Sequence, residues 1–250
     1  AEKAAAVLAP ECGSRLRQMA GACGPLYALR QDLLVWAARR YLRQHPDAVI
    51  VNLGCGLDTS FQKADNGRCR WINLDLPEVI RLRGELLPCG EREENLAADA
   101  LDLSWMQEAG GGRGCYVIAG GVFYYFREGQ VRRLLCAMAE AFPGGGVCFD
   151  CESRRAVEQS QKIVRRMGAS GARMQFFTDS PEKQFRSWSR SFVTITILDR
   201  LPRAYLDPEN LPLSIRLRLR LQFASGMLRF AEIRFRDETG NFEKFKGFCY

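Results

Sequence analysis

Histidine is almost missing from this chain: His45 is the one such residue in 250. That removes any zinc site built from several imidazoles and leaves no ready histidine base for catalysis. No run approaches the ~18 consecutive apolar residues of a spanning helix, so no membrane span is expected. The opening AEKAAAVLAPECG has neither the basic start nor the long apolar middle of a secretory signal, and a cytoplasmic protein is expected. No G-K-[ST] follows a glycine-rich turn, which excludes a Walker-type phosphate loop. Repeats, low-complexity tracts and linkers are also absent. The expectation is therefore one domain over 1–250, with a helical cap over 1–45, a sheet core over 46–250 and late insertions around 168–190 and 205–225.

What is present is ordinary for a globular protein: 47% hydrophobic residues and a net charge of +7. The charge suits an acidic partner such as RNA, an anionic small molecule or an acidic protein, and equally a basic protein with none of these. Most of the ten cysteines lie inside apolar segments, as free buried thiols do in a reducing compartment. Cys148 and Cys151 form the one close pair. If GGVCFDCES is a strand, residues three apart point to opposite faces and do not share a metal.

Apolar positions Leu29, Leu33, Leu34, Ala37, Ala38, Tyr41 and Leu42 recur at helical spacing within 26–43. AVIVNLG (48–54) is a short run rich in β-branched residues, stopped by glycine, and reads as a buried strand. Further strands are expected at 70–76, 95–98, 115–123 and 147–151. Helices are expected over 127–142 and on to about Met167. FVTITILD (192–199) alternates like an edge strand; 227–235 alternates with a slip near Ala231 that suggests a bulge. Between these, 211–225 fits both periods and is read as a helix. Strands and helices taking turns mean an α/β fold, a mostly parallel sheet with helices on both faces, its last two strands an antiparallel hairpin at one edge.

In such sheets ligands bind beyond the carboxyl ends of the strands. The turn after the first strand, GCGLDTS, sits there, and Gly54 and Gly56 allow a sharp turn with backbone close to a ligand. Asp75 follows nineteen residues after Gly56, at the end of the second strand, where an acid accepts from both ribose hydroxyls. A nucleoside-containing cofactor is implied. The third glycine of a dinucleotide loop is replaced by Thr59, which disfavours a pyrophosphate. Asp99 ends the third strand, near the adenine end of such a site; a turn-forming role is its alternative reading. That series of acids is the usual layout for S-adenosyl-L-methionine.

These pieces, YALRQDLL, VIVNLGCGLDTSF, INLDLPEVI, AADALDL and VIAGGVFYYF, resemble the leucine carboxyl methyltransferase / tetracenomycin-synthesis O-methyltransferase family of class I enzymes. The resemblance covers residues 27 to about 150; the last hundred match loosely. It implies a class I methyltransferase, Rossmann-like seven-stranded sheet with extra N-terminal helices. It also implies roles: Arg30 for the methionyl carboxylate, Gly54 and Gly56 for the loop, Asp75 for the ribose, Asp99 and Ala100 beside adenine, and Tyr125 as an active-site tyrosine. Asn52, Asp58, Leu76 and Gly120 fall in the same motifs and join the implied cofactor set. Gly120 departs from the family, which often carries glutamate there against the cofactor ammonium; its loss implies that backbone carbonyls or water take over, or that binding is weaker.

Methyl transfer from a sulfonium needs alignment and water exclusion more than acid–base help. His45, in a turn entering the first strand, is read as structural. Without a histidine base, a carboxylate or acidic phenol is the favoured acceptor, on a small molecule or a peptide. Tyr124, Tyr125, Arg173 and Met174 are candidates for its pocket. The alternatives are a non-catalytic cofactor-binding module and an RNA methyltransferase, although nucleic acid is not the expected partner. Oligomeric state is not legible.

Overall fold

The computed structural model describes residues 27–110, 114–166, 173–198, 213–226 and 228–237. Along them run α1 (27–42), β1 (Val49–Leu53), α2 (Ser60–Ala64), β2 (Arg70–Asp75), α3 (Pro77–Leu86), β3 (Glu93–Ala97), α4 (Trp105–Ala109) and β4 (Cys115–Ala119). A 3-10 turn at Phe123–Tyr125 leads to α5 (Glu128–Ala141), β5 (Gly146–Cys151), α6 (Arg154–Arg166), α7 (Pro181–Arg186), β6 (Phe192–Leu198), α8 (Leu213–Ala224) and β7 (Arg229–Phe235). Of the expected 1–45 cap, residues 1–26 lie outside the described residues, as do 168–172 and 205–212 of the expected insertions.

All seven strands join one sheet in the order β3-β2-β1-β4-β5-β7-β6. β3, β2, β1, β4 and β5 are parallel. β7 runs antiparallel between β5 and β6, so the expected hairpin closes one edge. The chain leaves β1 toward β2 on one side and returns through β4 on the other. That reversal opens a crevice at the carboxyl ends of β1 and β4.

Helices cover both faces. One core holds Val51, Leu53, Val117, Phe149 and Ile233 under α4, α5 and α7. The other holds Ile50, Trp71, Ile118 and Phe230 under α1, α2 and α8. Every apolar position counted into the α1 stripe is buried, and so is the face of α5 running from Val131 to Phe142. Burial of that periodic face, rather than propensity, is what holds each helix in place.

Two expectations are corrected. The fourth strand stops at Ala119 rather than 123, because Gly120 and Gly121 turn the chain into the 3-10 segment. The bulge is not near Ala231: pairing there is continuous, and the irregularity falls between Phe192 and Thr194 of β6. The apparent slip has another cause. Ala231, Ile233 and Phe235 enter one core, while Phe230, Glu232 and Arg234 lie on the other face, and all are buried. Glu232 is tolerated there because Tyr116 donates to it at 2.8 Å and Arg40 pairs with it. Arg234 lies over the rings of Tyr41 and Tyr116 at 4.5 and 5.4 Å.

Cys148 and Cys151 sit in opposite cores, as a strand requires, and the cysteines among the described residues are free. Among the described residues no cluster of potential ligands could hold a metal ion. Among them, too, no helix is long and apolar enough to cross a membrane.

Candidate functional site

The glycine corner follows directly from where β1 ends. Gly54 has a left-handed φ of +66°, and a Cβ there would stand 2.7 Å from a methyl of Val122. Both facts require glycine. The Gly54 N–H donates to the Leu74 carbonyl at 2.8 Å, which draws the corner onto β2. At Gly56, with φ +49°, a Cβ would meet nothing within 4 Å, so among the described residues no side chain fills the space in front of this glycine. The Gly56 N–H donates to Asp75 Oδ2 at 2.7 Å, and the Leu76 N–H donates to Asp75 Oδ1 at 2.8 Å. The Asp75 carboxylate is thus held across the corner by one bond on each oxygen. Leu76, 43% exposed, is an apolar side chain left uncovered beside it.

Behind the corner stands a residue that motif reading missed. Arg83 of α3 is buried, and it donates to the carbonyls of Gly56 and Asp58 at 3.1 and 2.6 Å. The same guanidinium bonds Asn95 Oδ1 at 3.0 Å and pairs with Glu93 at 3.0 Å. One fork fastens the loop to β3. The only signal in the sequence was an arginine at the inner position of a helix, which reads as a solvated charge unless the fold is known. Asp58 is held as well, by Gln31 at 2.8 Å and by the Ser60 N–H.

The Ala98 N–H donates to the Asp75 carbonyl at 3.0 Å, so Asp99 and Ala100 follow the end of the neighbouring strand on the same rim as Asp75. Asp99 is exposed, and its Oδ1 accepts the Leu101 N–H at 2.9 Å. The turn-forming role is therefore real, and it leaves Oδ2 without a bond among the described residues. Asn52 is buried on β1, and its amide Nδ2 has no hydrogen-bond partner among the described residues. A buried unsatisfied amide beside the glycine corner is unusual enough to call for an explanation.

The other half of the rim is built from distant segments. Arg30 of α1 pairs with Asp150, at the end of β5, at 3.2 Å. The second oxygen of Asp150 accepts the Gly121 N–H at 2.7 Å. Gly121 has φ +75°, and a Cβ on it would stand 2.6 Å from Arg30 Nη1. At Gly120 a Cβ would meet Leu34 at 2.9 Å. The glycine pair is what lets the guanidinium lie against the end of β4. Burial, the largest single influence, would lower the Arg30 pKa, but Asp150 together with Tyr124 and Tyr27 turns the net direction up.

Tyr124 is buried beside this pair, its hydroxyl unbonded among the described residues, and burial together with Asp150 and Glu152 pushes its pKa well up. Burial first, then Asp150, raises Glu152 to about 7. Tyr125 is 43% exposed, and its carbonyl accepts from Gln175 Nε2 at 3.1 Å. Arg173 is exposed, and the Met174 N–H donates to Gln161. The His45 ring lies tilted against that of Tyr41, centroids 4.5 Å apart, at the amino end of β1, the far end of the strand from the corner.

A sheet of this strand order, with one antiparallel strand near its edge and the glycine corner at its reversal, is the fold of the class I methyltransferases. No protein-family model matches the chain. Over 139 residues, 54% of this chain, it is 34% identical to the tetracenomycin polyketide synthesis O-methyltransferase TcmP of Streptomyces glaucescens. It spans about half, 51%, of that protein's length. This bears out the resemblance carried by VIVNLGCGLDTSF and its companions. Among solved structures, a DUF574 family protein from Streptomyces avermitilis superposes with a TM-score of 0.61 at 14% identity, covering 90% of each chain. A candidate methyltransferase of Thermobifida fusca gives 0.59 at 18% identity, covering 84% of this chain and 81% of the other.

Proposed function

We propose that this protein is an S-adenosyl-L-methionine-dependent O-methyltransferase. The observation that carries the reading is the Asp75 carboxylate locked across an open glycine corner, on a chain similar to an O-methyltransferase over half its length.

The residues present fit the cofactor. A Cβ on Gly56 would meet nothing within 4 Å, Asn52 holds a buried donor unmet among the described residues, and Leu76 offers apolar surface. Each Asp75 oxygen has a lone pair beyond the one already used, and these take the ribose hydroxyls. Asp99 Oδ2 and the backbone at Ala100 serve the adenine. Arg30 gives one nitrogen to Asp150; the rest of its fork suits a carboxylate. Bound there, the cofactor supplies an activated methyl on a good, neutral leaving group. The chain's own part is to orient, to exclude water and to hold the acceptor oxygen in line. The acceptor is a small molecule or a macromolecule.

Calorimetry with S-adenosylmethionine, S-adenosylhomocysteine and NAD tests this. We expect the first two to bind and NAD to fail; the reverse would end the reading. Asp75→Ala should weaken binding by ~1–3 kcal/mol, roughly 5- to 150-fold, because it deletes a charged acceptor that the fold has oriented in advance.

A further inference from the structure

We infer that the outward face of α8 is a membrane-surface site: a row of leucines edged by arginines that lies on an anionic lipid bilayer. Its use of lipid stands independently of the methyltransferase reading.

α8 is apolar on two opposite sides. At 3.6 residues per turn, positions four apart stack in a row along a helix, and positions two apart stand on nearly opposite sides. Ile215, Leu219 and Phe223 form one row, which packs into the core shared with α1 and α2. Leu213, Leu217 and Leu221 form the opposite row, and they are 72%, 57% and 62% exposed. A surface helix ordinarily turns polar residues outward. The inner row alone docks α8, so the outer leucines add nothing to that docking. Of the six large apolar side chains exposed among the described residues, three stand in this one row, which makes it a patch rather than a scatter of single leucines.

Charge and area choose the occupant. Arg220 borders the row on one side and Arg218 on the other, and both are exposed. No acid occurs between 213 and 224. A second copy laid along the row would set arginine against arginine, which disfavours self-pairing. A folded protein partner is disfavoured by size: three part-exposed leucines offer roughly 300 Å², against the ~800 Å² that each side of a stable interface takes. The row also lacks tyrosine and tryptophan, the residue types that anchor protein interfaces. A bilayer needs neither a matching shape nor that area. The leucines enter the headgroup boundary, the arginine stems lie along the acyl surface, and the guanidinium heads meet lipid phosphates. The chain's net charge of +7 adds attraction toward the same surface.

Co-sedimentation of the full chain with lipid vesicles tests this. We expect binding to vesicles of equal parts phosphatidylglycerol and phosphatidylcholine to be ~10-fold or more tighter than to phosphatidylcholine alone, and to weaken as salt is raised. Leu217→Ser combined with Leu221→Ser should weaken it ~10-fold or more, and so should Arg218→Glu combined with Arg220→Glu. All four side chains are exposed, so circular dichroism and the thermal midpoint should stay at wild-type values. Leu217→Trp places a reporter on the row, and brominated acyl chains should quench its fluorescence. Equal binding to the two kinds of vesicle, binding to neither, no loss in the serine variant or an unquenched reporter would each overturn the proposal. So would a dimer that dissociates in the serine variant, which gives the row to a second copy, or binding of transfer RNA with none to vesicles, which gives the arginines to nucleic acid.

Discussion

The two halves of the rim solve opposite problems. Around Gly54–Asp58, Asp75 and Arg83, the polar side chains are partnered within the protein, over sequence separations of at most 27 residues. Around Arg30, Tyr124, Asp150 and Glu152, the central ion pair spans 120 residues, a hydroxyl is unmet and an acid is held near neutrality. The first half is shaped before anything binds, which lowers the ordering cost of binding. The second keeps groups unsatisfied, and such groups gain most when a reacting molecule arrives.

Breaking the first half should be expensive. Arg83→Ala should destabilise the protein by about 3–5 kcal/mol in urea unfolding, because Glu93 and two loop carbonyls lose a buried partner. Arg83→Lys should recover little, since one ammonium cannot reach four acceptors set out for a planar fork. The second half should show itself in pH. Glu152 titrates higher folded than unfolded, so the native state holds the extra proton and wild-type stability falls as pH rises from about 4.5 to about 7. The full span is on the order of 3 kcal/mol, and Glu152→Gln should flatten it; urea midpoints at either end of that range read the slope. Within the corner, Gly54→Ala should cost about 2–3 kcal/mol from φ and the Val122 clash, and Gly56→Ala about 1 kcal/mol, from φ alone. The difference sharpens the contrast between a corner wall and an open cradle: Gly56→Ala should lose more in cofactor affinity than in stability. Smallest of all, Arg68→Ala should leave the unfolding midpoint unmoved, because its pair with Asp47 lies in solvent outside both halves.

How much was legible follows the same divide. The stripes of α1 and α5 and the apolar run of β1 are local periodicities, and the structure keeps them almost residue for residue. The G-x-G turn and Asp75 were readable because each ends a strand whose type was clear. Arg83 was not, since nothing local distinguishes an arginine that enters a loop's underside from one in water. Tyr125 drew attention through its motif, yet its neighbour Tyr124 is the one enclosed beside Arg30 and Asp150. The slip near Ala231 misled for a related reason: two buried charges on one face imitate a break in alternation when their partners, Arg40 and Tyr116, lie far off in the chain.

By itself the sequence determined the alternation of strand and helix, the place of the glycine corner and the acid at the end of the next strand, because these depend on neighbours a few residues apart and on the end of one strand. Only the tertiary structure decided that Arg30 meets Asp150 across a paired glycine, that Arg83 fastens the loop from below, and that an unmet hydroxyl and a half-buried glutamate share one end of β5. Those depend on which distant groups lose their water together, and desolvation is a property of the packed volume, not of any stretch of chain.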